Sequence, residues 1–340
     1  MLPVDPQQVV DRLKEFQRAV RGKIIESRTL AGGLSGVDRA TAADTIYQID
    51  TVVEPLLESF CEEWAKHTPL VLIAEGIEGS SDVEGLKVFP SGASEDDAKI
   101  RVIVDPIDGT RGIMYDKRPA WALAGVAPNR GRATRLRDIE VAVMTELPTS
   151  KMGWGDVLWA VKGQGTHAVR EELLPSGCGT SVPLSLSPSN APRIDHGFAM
   201  ISNFFPGTKV LASELMEFLV RNLIGEADVT RATIFEDQYI STGGQFYELI
   251  VGHDRFNADL RPTFYRMQNQ PEGLCCHPYD CATLLIAEEA GVVITDDKGA
   301  PLDGPLDTTT GLSWVGYANR ELRQRIEPLL LEFLHKRRSH

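Results

Sequence analysis

The stretch Asp105-Pro106-Ile107-Asp108-Gly109-Thr110 comes directly after a short, mostly β-branched run, Ile100 to Val104. Such a run is typical of a buried strand. We expect Pro106 to end the strand, so that Asp105 and Asp108 lie where the strand gives way to a turn. The sequence therefore predicts two carboxylates close together at the mouth of a buried strand.

The backbone around these carboxylates suits a cation and a phosphate in one pocket. The Ile107 carbonyl lies between the two acids, and oxygen ligands of this kind are those that Mg²⁺ prefers. Gly109 allows the backbone to come close to a ligand. If a helix begins at Thr110, its free N–H groups face the point where an anion would bind. The alternative is an Asp-rich surface turn that caps a helix.

The hexamer resembles the central motif of the inositol monophosphatase family, which belongs to a wider group of Mg²⁺-dependent, lithium-sensitive phosphatases. Two further segments resemble the same family in the same order. Leu70 to Gly76 is a strand-like run that contains Glu75, and His277 to Val292 places Asp280 ahead of a helix that closes with Glu-Ala-Gly. The resemblance extends from about residue 41 to about residue 317 and is loose between the motifs.

Asp280 is predicted to be an N-cap or first-turn residue of its helix, with Gly291 ending that helix. Simple capping is the better explanation of Asp280 when it is taken alone. With Glu75, Asp105 and Asp108, it completes four carboxylates in family order, which favours metal ligation.

Asp50 is a fourth point of resemblance, in the segment Tyr47 to Pro55. Pro55 suits the first turn of a helix, so Asp50 is expected just outside the helix with its side chain free to point into the site. The alternative is a solvated acid before a helix.

The resemblance implies a fold of the α+β class, a layered αβαβα sandwich of the inositol monophosphatase and fructose-1,6-bisphosphatase type. We expect an N-terminal α+β domain, residues 1–190, with an antiparallel sheet and most metal ligands. A C-terminal α/β domain, residues 191–340, would supply Asp280 and substrate contacts.

The function implied is that of a Mg²⁺-dependent phosphoric monoester hydrolase that attacks a small phosphorylated polyol or sugar with metal-activated water. The implied metal ligands are Glu75, Asp105, the Ile107 carbonyl, Asp108 and Asp280. The implied residues that orient and deprotonate water are Asp50, Glu75 and Thr110. The implied substrate contacts are Asp108, Gly109, Thr110, Arg111, Thr242, Gly243 and Asp280.

Three other functions stay open. A 3′,5′-bisphosphate nucleotidase is suggested by Arg111-Gly112, where nucleotidases of this group often carry Lys-Gly. The Arg111 guanidinium would then bind a second anionic group, although it is equally explained as a solvent-exposed helix residue. Fructose-1,6-bisphosphatase-like activity and binding of a phosphorylated ligand without turnover are the others.

The chain departs from the family in two places, and a third segment resembles it only loosely. Gly76 stands where the family commonly has a second Glu, and Glu78 is a possible substitute. The segment from residue 257 to 276 is longer than expected, so that Glu272 is only a candidate for the family's sugar-contacting acid. Ser241-Thr242-Gly243-Gly244 resembles a small-residue turn that meets substrate hydroxyls, and an ordinary tight turn explains it equally well.

Composition limits the partners. The 340 residues carry a formal net charge of -13, which argues against a nucleic-acid polymer as partner. The sequence shows no secretory leader and no apolar run long enough to span a membrane, so a cytoplasmic protein is expected. We also expect a homodimer.

Two sequence motifs suggest other kinds of site. Five cysteines without Cys-x-x-Cys spacing predict reduced, mostly buried thiols rather than a zinc site. Gly163 to Ala168 fits a loose dinucleotide-binding pattern, but the family resemblance makes it a hairpin between strands. The Ser, Pro and Gly-rich segment from Leu173 to Pro192 is predicted to connect the two halves of the chain.

Overall fold

The computed structural model describes residues 1–31, 37–40, 45–47, 53–77, 84–174, 177–226, 228 and 230–338. The helices in these ranges are α1 (Pro6–Ala31), α2 (Glu54–Ala65), α3 (Thr110–Met114), α4 (Lys209–Leu223), α5 (Thr242–Ile250), α6 (Arg261–Met267), α7 (Leu284–Glu289) and α8 (Arg320–Arg338). No helix within the described ranges has the length and apolar character needed to cross a membrane.

Two sheets and a hairpin account for the strands. The hairpin joins β1 (Val37–Ala40) to β2 (Thr45–Tyr47). The strands of the first sheet are β3 (Leu70–Ala74), β4 (Leu86–Phe89), β5 (Ile100–Asp108), β6 (Ala120–Pro128), β7 (Val141–Leu147), β8 (Trp154–Val161), β9 (Thr166–Leu174) and β10 (Gly177–Pro183). The strands of the second sheet are β11 (Gly197–Ile201), β12 (Ile234–Phe235), β13 (Asp254–Asp259), β14 (Val293–Asp296) and β15 (Trp314–Tyr317).

The first sheet has the order β10-β9-β8-β7-β6-β5-β3-β4, and its neighbours are antiparallel except for β3 and β5. The predicted antiparallel sheet is therefore wrong at this one pair. After β3 the chain turns back as β4, which is antiparallel to β3 and forms the edge of the sheet. The next strand, β5, then pairs with the other side of β3 and runs parallel to it. The second sheet is mixed, with β11 parallel to β12 and β13, and β15 antiparallel to β13 and β14.

Side chains alternate between two cores across the first sheet. In β3, Leu70 and Leu72 pack with α1 and α2, whereas Val71 and Ile73 face the core shared with the second sheet. Because both faces of the strand are covered, its residues form a continuous apolar run rather than an alternating pattern. This explains why these strands are recognisable in the sequence as short hydrophobic runs.

Five layers result. Helices α1 and α2 cover the outer face of the first sheet, and α5 and α7 lie between the two sheets. Helices α4 and α8 pack against each other and against the second sheet, on β11 and β15 respectively. The predicted αβαβα sandwich is confirmed.

The segment predicted to connect the two halves is partly wrong. Gly177–Pro183 forms β10, which pairs with β9 as the edge strand of the first sheet. A Gly- and Ser-containing strand is tolerated at such an edge because only one side must pair. The predicted hairpin at residues 163–165 is confirmed between β8 and β9. The proposed boundary at residue 190 lies between β10 and β11, and the division into two domains stays a prediction.

Gly125 in β6 fixes the distance between the first sheet and the turn before α7. A Cβ atom at Gly125 would lie 2.6 Å from the Ala282 carbonyl oxygen and 2.7 Å from Cδ1 of Ile139. Only glycine permits this approach, so β6 and the turn that carries Asp280 are in direct backbone contact.

We predict that Gly125→Ala lowers the free energy of unfolding by about 1–3 kcal/mol, because the added methyl group displaces the Ala282 carbonyl. Urea unfolding measures the change. Gly153→Ala is the matched control, since no atom lies within 4 Å of a Cβ at that position. Equal stability of the two variants would show that the contact between β6 and the turn is not fixed.

Candidate active site

A bulge at the end of β5 brings Asp105 and Asp108 to one place. Asp105 is opposite Leu123 of β6 and Asp108 is opposite Trp121, so β5 has one more residue than its partner between these pairs. In a regular strand, residues three apart point to opposite faces, and the extra residue cancels that alternation. The prediction that Pro106 ends the strand is therefore wrong, because proline is accommodated in the bulge.

Asp108 receives three hydrogen bonds from the start of α5. The Ser241 hydroxyl donates to Oδ2 at 2.8 Å, the Thr242 N–H to Oδ1 at 3.2 Å and the Gly243 N–H to Oδ2 at 2.6 Å. The Ser241 oxygen also accepts from the Gly244 N–H at 2.8 Å, as an N-cap does. The predicted small-residue turn is therefore the N-terminus of helix α5. The free N–H groups of its first turn bind the Asp108 carboxylate.

Asp280 lies in a turn rather than in the helix that follows. Helix α7 begins at Leu284 with Thr283 as its N-cap, so the prediction of an N-cap or first-turn position is wrong. The Asp280 carboxylate instead accepts from the His277 N–H at 2.6 Å. Turn hydrogen bonds stabilise this segment, from the Cys281 N–H to the Pro278 carbonyl and from the Ala282 N–H to the Tyr279 carbonyl. The predicted end of the helix is confirmed, because Gly291 follows it with φ 93°.

These elements gather three acids that could hold a metal ion. One carboxylate oxygen from each of Asp105, Asp108 and Asp280 lies within 4.8 Å of the others. Glu75 and Glu54 line the same cavity. The structure thus brings together Glu75, Asp105, Asp108 and Asp280, the four acids predicted as metal ligands, from three separate parts of the chain.

The acids repel one another in the buried cavity. Burial raises the pKa of Asp105 well above its ordinary value, and the charges of Asp108, Asp280 and Glu75 raise it further. Burial also raises the pKa of Asp280, with the Asp108 charge contributing. Burial raises the pKa of Asp108 to about 7, although the hydrogen bonds from α5 oppose the shift.

A divalent cation with oxygen ligands fits this site. Clustered buried carboxylates are stable in the charged form only when a counter-charge compensates them. The donor set consists of oxygens, which suits Mg²⁺ or a similar hard cation better than zinc. Among the described residues, no cysteine belongs to this group of possible ligands. Cys61, Cys275, Cys276 and Cys281 are free thiols.

Two residues of the hexamer form a hydroxyl and carbonyl pair beside the acids. Thr110 begins α3 as predicted, and its hydroxyl donates to the Ile107 carbonyl at 2.8 Å. Gly109 precedes the helix with φ 96°, and a Cβ there would lie 3.1 Å from Cβ of Ser241. Glycine is therefore required both by the backbone conformation and by the close approach of α5.

The other predicted site residues are placed as follows. Arg111 and Thr242 line the cavity, whereas Gly243 does not belong to the lining, and a Cβ atom there would lie 2.5 Å from Cδ2 of Leu123. Glu272 is exposed and does not belong to the cavity lining. Asp50 lies outside the described residues.

Gly76 has a structural reason for departing from the family pattern. It lines the cavity with φ 78°, a conformation that a glutamate adopts only with strain. The Glu78 proposed as its substitute lies outside the described residues.

Sequence reasoning missed several lining residues. Glu54 opens α2, and its place in the first helical turn was a usable signal. The cavity also includes Phe204, Phe205, Leu274 and Arg261. These have no motif, because they reach the cavity through the arrangement of β11, α6 and the segment before Asp280.

Comparison with known proteins supports the same family. No protein-family model matches the chain. A curated relative from Methanothermobacter thermautotrophicus, named fructose-1,6-bisphosphatase/inositol-1-monophosphatase, is 24% identical over 246 residues, which is 72% of each protein.

Solved structures share the fold across nearly the whole chain. Leishmania major fructose-1,6-bisphosphatase in holo form has a TM-score of 0.68 and 15% identity, covering 97% of this chain and 95% of that one. Extragenic suppressor protein suhB from Bartonella henselae has a TM-score of 0.61 and 16% identity, covering 95% and 98%. The IMPase of Thermotoga maritima has a TM-score of 0.61 and 14% identity, covering 97% and 99%. The predicted fold and the resemblance to the inositol monophosphatase family are confirmed.

We predict that Asp105→Asn raises the melting temperature of the metal-free protein at pH 8 by roughly 2–6 °C. The pKa of Asp105 is raised in the folded state, so the folded protein loses stability as pH rises from about 4 through that pKa. The variant removes this charge, while its amide oxygen still accepts from the Ile107 N–H. Asp108→Asn is less suitable, because an amide N–H would face the donors of α5.

Thermal unfolding in EDTA at pH 5 and pH 8, and with Mg²⁺, tests this prediction. The advantage of the variant should shrink at pH 5, because the raised pKa of Asp105 leaves more of its carboxyl group protonated there than at pH 8. Mg²⁺ should stabilise the unsubstituted protein more than the variant. Equal stabilisation of both by Mg²⁺, or no difference in EDTA at pH 8, would contradict the account.

Proposed function

We propose that this chain, which shares its fold with inositol monophosphatases and fructose-1,6-bisphosphatases, is a Mg²⁺-dependent phosphoric monoester hydrolase. The substrate class supported by the family resemblance is a small phosphorylated polyol or sugar. The observation that carries the proposal is the cluster of Asp105, Asp108 and Asp280, each with one carboxylate oxygen within 4.8 Å of the others.

The acids are assigned to binding the cation. Asp105, Asp108 and Asp280 would hold it, with Glu75 and the Ile107 carbonyl as further ligands. When bound, Mg²⁺ would act as a Lewis acid that lowers the pKa of a water molecule and offsets charge on the phosphoryl group. The acidic lining supports this role, because an anionic ester would otherwise be repelled.

Thr110 and Glu75 are assigned to the attacking water. The Thr110 hydroxyl directs its hydrogen to the Ile107 carbonyl, so its oxygen serves as an acceptor toward the water. Glu75, in the same cavity, would take the proton. Asp50 is assigned to the same task on the family resemblance alone. The N–H groups of Gly109 and Thr110 would donate to the phosphate.

A second candidate function is hydrolysis of a bisphosphate. Arg111 lines the cavity, and its guanidinium carbon lies 5.2 Å from the centre of the Phe205 ring. This position supports an interaction with a second anionic group on the substrate. Action in the cytoplasm, a homodimer and the absence of nucleic-acid partners stay predictions.

We predict that Asp280→Asn lowers kcat by roughly 100-fold or more at saturating Mg²⁺, because a neutral amide binds the cation poorly. The fold should persist, since the amide oxygen still accepts from the His277 N–H. Phosphate release from inositol, sugar and nucleotide phosphates measures activity, and Li⁺ should inhibit it.

Asp303→Asn is the matched control, because Asp303 pairs with Arg135 outside the cavity. Full activity of the purified protein in EDTA, or of Asp280→Asn with Mg²⁺, would refute the metal assignment. Absence of turnover on every ester, with normal Mg²⁺ binding, would favour a binding protein.

For Arg111→Ala we predict a greater loss of kcat/KM on a bisphosphate than on the matching monophosphate. The reason is that a guanidinium contact with the second phosphate is lost only in the first case. Parallel assays with fructose 1,6-bisphosphate and fructose 6-phosphate measure the ratio. Equal losses on both would show that Arg111 does not select the substrate.

A further inference from the structure

We infer that Phe204 and Phe205 form a recognition wall for phosphate esters whose sugar carries a planar aromatic ring, as a nucleoside does. The inference rests on the proposed function, because it assigns the organic part of the ester to the lining outside the acid cluster. It extends the nucleotidase alternative to esters with a single phosphate, and it adds two specificity-determining residues that no sequence motif indicates.

The lining outside the acid cluster has an apolar part, which lies beside polar side chains such as Thr110, Arg111 and Thr242. Phe204 and Phe205 lie in the loop that follows β11, and Leu274 belongs to the segment between α6 and Asp280. These side chains offer no hydrogen-bonding groups. A bare polyol that loses water against these three side chains leaves hydroxyl groups without partners, which disfavours its placement against this part of the lining. A planar ring with an apolar face has no hydrogen bonds to water on that face to lose.

The two phenylalanine rings have a geometry suited to aromatic contacts. Their centroids are 5.1 Å apart and their planes are at 90°. Both side chains are only half-buried although they line the cavity, so part of their surface faces the ligand space. A planar ring that enters this space can meet the face of one phenylalanine or the edge of the other.

Arg261 holds the wall in position. Its guanidinium carbon lies 4.8 Å from the centre of the Phe204 ring and 5.3 Å from that of Phe205. Arg261 as a whole is 5% exposed, and its Nε donates to both carboxylate oxygens of Asp259 at 2.9 and 3.0 Å. Its Nη1 donates to the Leu274 carbonyl at 3.0 Å.

These contacts make the wall rigid before a ligand binds. Through Arg261, the end of β13, the loop after β11 and the segment before Asp280 become one unit. Aromatic side chains that are already ordered lose little conformational entropy on binding. Arg261 is therefore a positioning residue for the wall, and its charge is compensated by Asp259.

A pair of substrates that differ only in the ring tests the inference. Adenosine 5′-monophosphate and ribose 5-phosphate share the ester and the sugar, and only the first has a base. With Mg²⁺, kcat/KM should be about tenfold or more higher for the nucleotide, mainly through KM, as expected for one stacked base. Equal values for the two esters would overturn the inference.

Substitutions in the wall show whether these rings cause the preference. Phe204→Leu and Phe205→Leu keep apolar bulk but remove the ring, so the preference should fall by about tenfold when both are combined. Phe205→Tyr retains the ring and should retain the preference. Phe198→Leu is the control, because Phe198 forms a similar exposed ring pair with Phe235, 5.5 Å apart and outside the cavity. If the double variant keeps the preference for the nucleotide, residues other than Phe204 and Phe205 cause it and the inference is wrong.

Binding of the phosphate-free product separates this inference from the proposed function. Calorimetry with adenosine should show binding that weakens about tenfold in the double Leu variant, and ribose should not bind measurably. If no ester is hydrolysed but adenosine binds through the two rings, the hydrolase proposal fails and the wall stands. If inositol phosphate is hydrolysed and adenosine does not bind, the wall fails and the hydrolase proposal stands.

Discussion

The hydrogen bonds from α5 to the Asp108 carboxylate are the constraint on which the rest of the site depends. Asp108 ends a strand of the first sheet, and its three donors begin a helix that lies between the two sheets. The same interaction satisfies free N–H groups of the helix and fixes the direction of the carboxylate. The halves of the chain therefore meet at the residue that is proposed to bind the cation.

Without a bound cation, the folded chain places the Asp105, Asp108 and Asp280 carboxylates close together with no cation between them. The hydrogen bonds at Asp108 are insufficient to keep its pKa at the ordinary value, and Asp105 and Asp280 are shifted in the same direction. Burial of an ionised carboxylate costs several kcal/mol after relaxation, which is comparable to the total stability of many proteins. The site would thus lower stability when it is empty and raise it when a cation is bound, as expected where function rather than stability determines residue choice.

Local signals marked the position of each acid, and the family resemblance implied that the acids form one cluster. Asp105 and Asp108 end a β-branched run, and Asp280 precedes a recognisable helix. The bulge at Pro106 and the turn around Asp280 were not predictable, because both depend on register with β6 and contact with Gly125. Phe204, Phe205 and Arg261 carry no local signal, since their cavity exists only after the second sheet packs. Tertiary packing therefore accounts for the errors.

The most direct test is anomalous diffraction from crystals grown with Mn²⁺, which replaces Mg²⁺ at oxygen sites and can be located by its own scattering. The account predicts a peak within bonding distance of carboxylate oxygens from Asp105, Asp108 and Asp280. The peak should be absent from crystals of Asp280→Asn or much weaker there. A fully ordered metal elsewhere in the protein, with none among these three carboxylates, would contradict the central claim.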